Sequence, residues 1–265
     1  MSFARCFSTL AASAALMLLA GCAATPDPTD TFVQAGGSEQ TENERRARIR
    51  LQLAVGYYEQ RQFAVALEEL RLALQADPRL ADGYSMRGLI FMEMGENKLA
   101  EDSFQHALRL APNAPDYNNN YGWFLCQTGR ERQSIAYFEN ALRSRNYQSP
   151  AVALANAGTC SLRVNELAAA ERYLLQSFEI DAANPTTAFN LARLYHARRD
   201  DERARFYIAR VMKADLMTAE VLWLALRIER RLGDRAAEAS LANQLRRRFP
   251  ASPEFAAFQR GAFDE

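Results

Sequence analysis

The chain has 265 residues, of which 49% are hydrophobic, and its 32 Lys and Arg residues balance its 32 Asp and Glu residues. This length is enough to bury a sizeable core. A formal net charge of zero argues against a nucleic-acid-binding protein, because such proteins usually carry an excess of basic residues.

The first 21 residues are predicted to form a signal peptide. Arg5 supplies a short positive region, and the apolar run over residues 7–20 is too short for a good membrane span. The run ends in Leu-Ala-Gly-Cys, so that Cys22 follows two small residues. This pattern resembles a bacterial lipoprotein signal, which implies cleavage before Cys22 and lipid attachment to its thiol. The alternative is an ordinary secretory signal followed by a chance cysteine.

Residues 22–46 are predicted to be the lipidated cysteine and a flexible tether. The segment is rich in Pro, Gly and small polar residues, which favour disorder over packing. About twenty such residues reach roughly 25 Å. Ala23, rather than Asp, follows the cysteine. In this respect the sequence resembles lipoproteins that are sorted to the outer membrane. The resemblance implies a lipid anchor at the periplasmic face of the outer membrane.

A repeat with a period of 34 residues follows. Pro78 and Pro112 are one period apart, as are Gly88 and Gly122. The larger matching sets are Ala66, Ala100 and Ser134, and Leu70, Phe104 and Phe138. The pattern resembles the tetratricopeptide repeat, a pair of helices with small residues where they cross and a proline after the second.

We therefore predict an all-α fold, a superhelical solenoid of six helix-turn-helix repeats over residues 47–252. The predicted repeats are 47–80, 81–114, 115–148, 151–184, 185–218 and 219–252, and Ser149-Pro150 is an insertion between the third and the fourth. Residues 253–265 are predicted to be a C-terminal tail.

In such a solenoid the first helix of each repeat lines the concave face, and positions two, five, nine and twelve should point inward. In the first three repeats these positions are largely apolar, which favours binding of a partner peptide or helix. The predicted partner-binding residues are Leu51, Val55, Tyr58, Leu89, Met92, Asn119 and Trp123. The alternative is that these side chains pack against the N-terminal segment or the next repeat.

Asparagine recurs at position six of repeats three, four and five, as Asn120, Asn156 and Asn190. This recurrence predicts either a hydrogen-bonded ladder between repeats or a grip on a bound backbone. Positions two and six of repeats three to five hold no basic pair, so a clamp for a terminal carboxylate is not predicted.

Repeats five and six are more basic on the same face. The residues concerned are Arg193, His196, Arg227 and Arg230. They indicate either a solvated face or a contact with an acidic partner.

Cys126 and Cys160 lie on the first helices of adjacent repeats. An exported protein meets an oxidising compartment, so a disulfide between them is possible. Their register differs by two positions, which leaves open the alternative of two small buried side chains.

Catalytic or metal-binding motifs do not stand out. His106 and His196 lie far apart in the repeat array, and no phosphate loop, nucleophile elbow or metal-ligand spacing is visible. We therefore expect no enzyme, no metal, no small-molecule substrate and no cofactor beyond the lipid on Cys22.

The run Asn-Tyr-Gly-Trp-Phe-Leu-Cys at 120–126, the Gly158-Thr159-Cys160 context, the lipoprotein signal and the six repeats together resemble the PilF/PilW family of type IV pilus biogenesis lipoproteins. The resemblance covers essentially the whole chain. It implies a pilotin, which binds the secretin subunit and helps it reach the outer membrane and form its multimeric ring. Alternatives are a β-barrel-assembly type of repeat lipoprotein and a regulator of a cell-envelope enzyme.

Overall fold

Thirteen α-helices and no strands make up the part of the chain that the structure, a computed structural model, describes. The described residues are 41–214 and 216–263, and they belong to a unit that spans 40–265. The predicted signal peptide, Cys22 and most of the predicted tether lie outside the described residues.

The helices are α1 (Glu42–Glu59), α2 (Phe63–Ala76), α3 (Ala81–Glu93), α4 (Asn97–Leu110), α5 (Pro115–Gln127), α6 (Glu131–Leu142), α7 (Pro150–Arg163), α8 (Leu167–Ile180), α9 (Pro185–Ala197), α10 (Asp201–Lys213), α11 (Ala219–Leu232), α12 (Arg235–Arg248) and α13 (Pro253–Arg260). From α1 to α12 each odd-numbered helix packs most extensively on the even-numbered helix that follows it. The predicted all-α solenoid of six two-helix repeats is confirmed.

Small residues allow the two helices of a repeat to approach closely. Gly88 on α3 faces the Phe104 ring of α4, and a Cβ atom at this position would lie 2.6 Å from two ring carbons. The second helix also contributes a small residue. In five repeats the same position of this helix holds a fully buried small residue: Ala66, Ala100, Ser134, Ala170 and Ala204. Close-packed interiors do not absorb an added methyl group without strain, so this pattern fixes how each pair crosses.

A residue in the left-handed backbone region ends the first helix of every repeat. These residues are Arg61, Gly95, Gly129, Asn165, Arg199 and Gly233, with φ between 58° and 81°. Their spacing follows the repeat, with one longer step where Ser149 and Pro150 are inserted. Glycine adopts this conformation without penalty, whereas a side chain at φ above zero costs roughly 1–2 kcal/mol. The three non-glycine turns are therefore held by the packing of the helices on either side.

Two predicted boundaries are wrong. The predicted tether extends to residue 46, but α1 begins at Glu42. Thr41 accepts a hydrogen bond from the backbone N–H of Glu44 at 3.2 Å, and the Glu44 carboxylate accepts one from the backbone N–H of Thr41 at 2.9 Å. This reciprocal capping box stabilises a helix start before the first repeat position.

The C-terminal segment is also more ordered than a tail. Ser252 caps α13 by accepting from the backbone N–H of Phe255 at 3.1 Å, and Pro253 occupies the first turn, where its missing N–H has no cost. Phe255 is buried, and α13 contacts both α11 and α12. The helix thus covers the apolar end of the array, as terminal caps of solenoids do.

The array curves with its odd-numbered helices on the inside. Each odd-numbered helix from α1 to α11 contacts the next odd-numbered helix, whereas the even-numbered helices of successive repeats do not contact each other within the described ranges. The concave face is therefore formed by α1, α3, α5, α7, α9 and α11, as predicted. Every helix in residues 41–214 and 216–263 is too short or too polar to cross a bilayer.

Candidate functional site

The predicted partner-binding residues of the first two repeats lie partly inside the packed array. Leu51 and Tyr58 are half-buried against a cluster that contains the fully buried Leu70. Leu89 and Met92 are half-buried where repeats two and three meet. Val55 is the most accessible of the set, with 37% of its surface exposed.

Trp123 in the third repeat lies in a different cluster. It is half-buried against the group that includes Cys126, Leu154 and Tyr173. The Arg163 guanidinium lies 5.9 Å from the centre of its ring, and the same guanidinium donates to the Cys126 carbonyl at 3.0 Å. Repeat four therefore covers one face of the indole.

The asparagines of the odd-numbered helices form a hydrogen-bonded ladder. Asn120 Nδ2 donates to Ser85 Oγ of α3 at 3.2 Å, and Asn156 Nδ2 of α7 donates to Asn119 Oδ1 at 3.0 Å. Asn119 is 9% exposed and donates to Asn120 Oδ1 at 3.4 Å.

The ladder continues to repeat five. Asn190 Nδ2 on α9 donates to Thr159 Oγ1 on α7 at 2.9 Å, and the Thr159 hydroxyl donates to the Ala155 carbonyl at 2.7 Å. Of the two predictions for these asparagines, the inter-repeat ladder is confirmed. Their amides bond to asparagine, serine and threonine side chains of the neighbouring helices and so connect α3, α5, α7 and α9.

Cys126 and Cys160 form a disulfide between α5 and α7, with Cα atoms 5.9 Å apart. The two-position difference in register does not keep the two thiols apart. Both residues are fully buried. The disulfide therefore links two neighbouring concave-face helices covalently.

The C-terminal repeats contain a cleft of about 640 Å³ on the concave side. Its walls come from α7, α9 and α11, and the inward positions of repeats five and six supply much of the lining. Those lining residues are Phe189, Arg193, His196, Glu220, Trp223 and Arg227. Arg199 and Arg231 also line the cleft. Position five of repeats five and six is Phe189 and Trp223, so these two aromatic residues follow the same inward rule as the basic residues predicted on this face.

Not all of the basic residues predicted on this face line the cleft. Arg193 and Arg227 lie in the cleft, each with its guanidinium 5.9 Å from an aromatic ring centre, over Phe189 and Trp223 respectively. Arg230 instead pairs with Glu238 at 2.7 Å. Its guanidinium lies 3.9 Å from the ring centre of Phe263, so it does not contribute a charge to the cleft.

His196 is buried as part of a three-residue network. Its Nδ1 donates to Asp201 Oδ1 at 2.6 Å, and Arg231 Nε pairs with the other Asp201 oxygen at 2.7 Å. Burial lowers the pKa of His196 below its ordinary value, and Arg231 and Arg227 lower it further, which together outweigh the hydrogen bond to Asp201. The imidazole is thus neutral at neutral pH, and His196 fixes the floor of the cleft instead of adding positive charge.

The described residues contain no group of three His, Cys, Asp or Glu side chains that could hold a metal ion. What the geometry offers is two chemically different surfaces on the concave side. One is formed by the half-buried apolar residues of the first three repeats and the exposed Val55, and the other is the basic, aromatic cleft of the last repeats.

Comparisons with known proteins agree with this architecture. The family model described as "Tetratricopeptide repeat" matches residues 51–115 and 85–151. The chain is 28% identical to the type IV pilus assembly protein PilF of Pseudomonas aeruginosa over 241 residues, which are 91% of this chain and 93% of that protein.

Solved structures of two similar proteins superpose on the solenoid. The crystal structure of PilW, a widely conserved type IV pilus biogenesis factor, is 31% identical and matches with a TM-score of 0.75 over 80% of this chain and 98% of that one. The structure of P. aeruginosa PilF is 28% identical and matches with a TM-score of 0.79 over 83% of this chain and all of that one. Identity and structural match extend across nearly the full length of both relatives. The chain belongs to the PilF/PilW family of tetratricopeptide-repeat proteins.

Proposed function

We propose that this chain is an outer-membrane lipoprotein that acts as a pilotin in type IV pilus biogenesis. It binds the secretin subunit and promotes its localisation to the outer membrane and its multimerisation. The observation that carries this proposal is the match to PilF and PilW along almost their whole length, since both are named for type IV pilus assembly or biogenesis.

The N-terminal sequence supports the membrane part of the proposal. Lipid on Cys22 would anchor the protein to the periplasmic face of the outer membrane. The residues between Cys22 and α1 would act as a tether that lets the repeats stand away from the membrane. Two or more acyl chains give a stable anchor, which one chain does not.

The concave face supports the binding part. The apolar surface of the first three repeats, formed by Leu51, Val55, Tyr58, Leu89, Met92 and Trp123, suits an apolar or amphipathic secretin segment that would otherwise be exposed in the periplasm. Binding to a preformed groove requires no chemistry. The asparagine ladder and the disulfide hold α3, α5 and α7 in register, so two of the three helices that carry this surface are tied to their neighbours.

Val55→Glu is expected to weaken co-purification of the secretin subunit with this protein by about tenfold or more, because a buried, unpaired carboxylate is costly in an apolar interface. Val65→Glu is the matched control. Val65 is 42% exposed, similar to the 37% of Val55, but lies on α2 in the outer layer. The measurement is the ratio of secretin to tagged bait after detergent extraction, with far-UV circular dichroism to verify the fold. Equal recovery with both variants would reject the N-terminal surface as the binding site.

A further inference from the structure

The cleft between α7, α9 and α11 differs from the rest of the concave face in its charge and its aromatic content. Four arginines line it against a single glutamate, Glu220. Two of them, Arg193 and Arg199, are exposed and form no ion pair with any residue that the structure describes. A cleft lined by one sign of charge concentrates segments of the opposite sign.

Aromatic rings interleave with these arginines. Phe189 and Trp223 line the cleft on adjacent helices, and each has a guanidinium at 5.9 Å from its ring centre. The back of the Trp223 ring packs on Phe263, with ring centres 5.4 Å apart. Phe263 of the C-terminal segment therefore packs on one side of the indole, and another side of the indole lines the cleft.

The floor of the cleft is also fixed before any ligand arrives. Arg231 pairs with Asp201 at 2.7 Å and donates to the His196 carbonyl at 2.9 Å. A site whose walls are already ordered binds with a smaller loss of side-chain entropy.

We propose that this cleft binds an extended acidic segment of a partner protein. Acidic side chains of the segment would pair with Arg193, Arg199 and Arg227, and one aromatic or large apolar side chain would lie against Phe189 and Trp223. Charge complementarity selects this occupant, because a basic or neutral segment leaves Arg193 and Arg199 without a carboxylate partner. The site is separate from the apolar surface of the first three repeats and does not depend on which protein occupies that surface.

The test uses fluorescein-labelled twelve-residue peptides and the full-length chain in mild detergent. The first peptide carries six Asp or Glu residues around a central Phe, the second replaces Phe by Ala, and the third replaces the acids by Lys. Fluorescence anisotropy should show binding of the first peptide, weaker binding of the second and none of the third. Raising the salt concentration should weaken the first complex, since exposed ion pairs are screened.

Arg193→Glu should weaken binding of the first peptide by about fivefold or more, because it turns an attractive charge into a repulsive one. Arg247→Glu is the matched control, since Arg247 is also exposed but lies on α12 and does not line the cleft. In a Trp123→Phe chain the peptide should also change the fluorescence of Trp223, the remaining one of the two tryptophans.

The proposal fails if acidic and basic peptides bind alike, if Arg193→Glu binds like the control, or if Trp223 fluorescence does not respond. It also fails if light scattering shows that the protein self-associates and that Arg193→Glu abolishes this, because the occupant would then be a second copy of the chain. These measurements contain no secretin, so their failure leaves the proposed pilotin function untouched.

Discussion

Reduction of the Cys126–Cys160 disulfide is expected to lower the free energy of unfolding by about 3–4 kcal/mol. The bond joins residues 34 positions apart, and closing a loop of that length removes conformational entropy from the unfolded chain. Both sulfur atoms lie in the buried cluster around Phe138 and Leu154. Reduced thiols pack as small apolar groups, so the folded state should change little and the loss should come mainly from the unfolded state.

Urea unfolding with and without reductant measures this effect, with Trp123 fluorescence as a probe in the affected cluster. The double variant Cys126→Ala/Cys160→Ala is the control. It should unfold at a urea concentration close to that of the reduced natural chain and should not respond to reductant. Equal midpoints for the oxidised and reduced natural chain would contradict the prediction.

Asp201→Ala is expected to destabilise the last two repeats by about 3–5 kcal/mol, the usual cost of removing one partner of a buried ion pair. Asp201 is 8% exposed and bonds both His196 and Arg231. Its removal leaves the Arg231 charge without its carboxylate and the imidazole N–H without its acceptor. The network also connects α9, α10 and α11, so its loss should loosen those helices first.

Asp102→Ala is the matched control. Asp102 lies on the surface of α4, 3.7 Å from Lys98, with 59% of its side chain exposed. Such a pair is worth about 0–1 kcal/mol. In a Trp123→Phe background, Trp223 reports on the C-terminal repeats, and its urea midpoint should fall for Asp201→Ala and remain nearly constant for Asp102→Ala. A similar midpoint for both variants would show that the buried network does not stabilise these repeats.

The repeat architecture could be predicted from the sequence because its signals are local and recur. Five of the six repeats carry a small residue at the helix crossing, and glycine ends the first helix in three of the six turns. Arg61, Asn165 and Arg199 adopt the same backbone at the other turns, and although asparagine tolerates this conformation, no residue preference predicts it for the two arginines. There the packing of two helices overrides local propensity.

The errors fall at the two ends, where the period stops. Thr41 with Glu44, and Ser252 with Pro253, are readable helix-start signals that lie outside the repeat frame. Placing the boundaries by the period alone therefore made α1 too short and omitted α13.

The sequence predicts the candidate sites as far as the position of a residue on its helix decides which face it occupies. The inward positions of repeats five and six do lie in the cleft at Phe189, Arg193, Trp223 and Arg227. The burial of His196 and the pairing of Arg230 with Glu238 depend on residues of other helices. Periodicity gives the face of a residue but not its partners, and this limits sequence-based prediction of charge in such a groove.

The central claim is most directly tested by deleting the chromosomal copy in the host bacterium and assaying the heat-stable secretin multimer. The account predicts that the multimer is lost while the secretin monomer persists, and that surface pili disappear. Restoring the gene should restore both. Intact secretin multimers and normal piliation in the deletion strain would contradict the pilotin function.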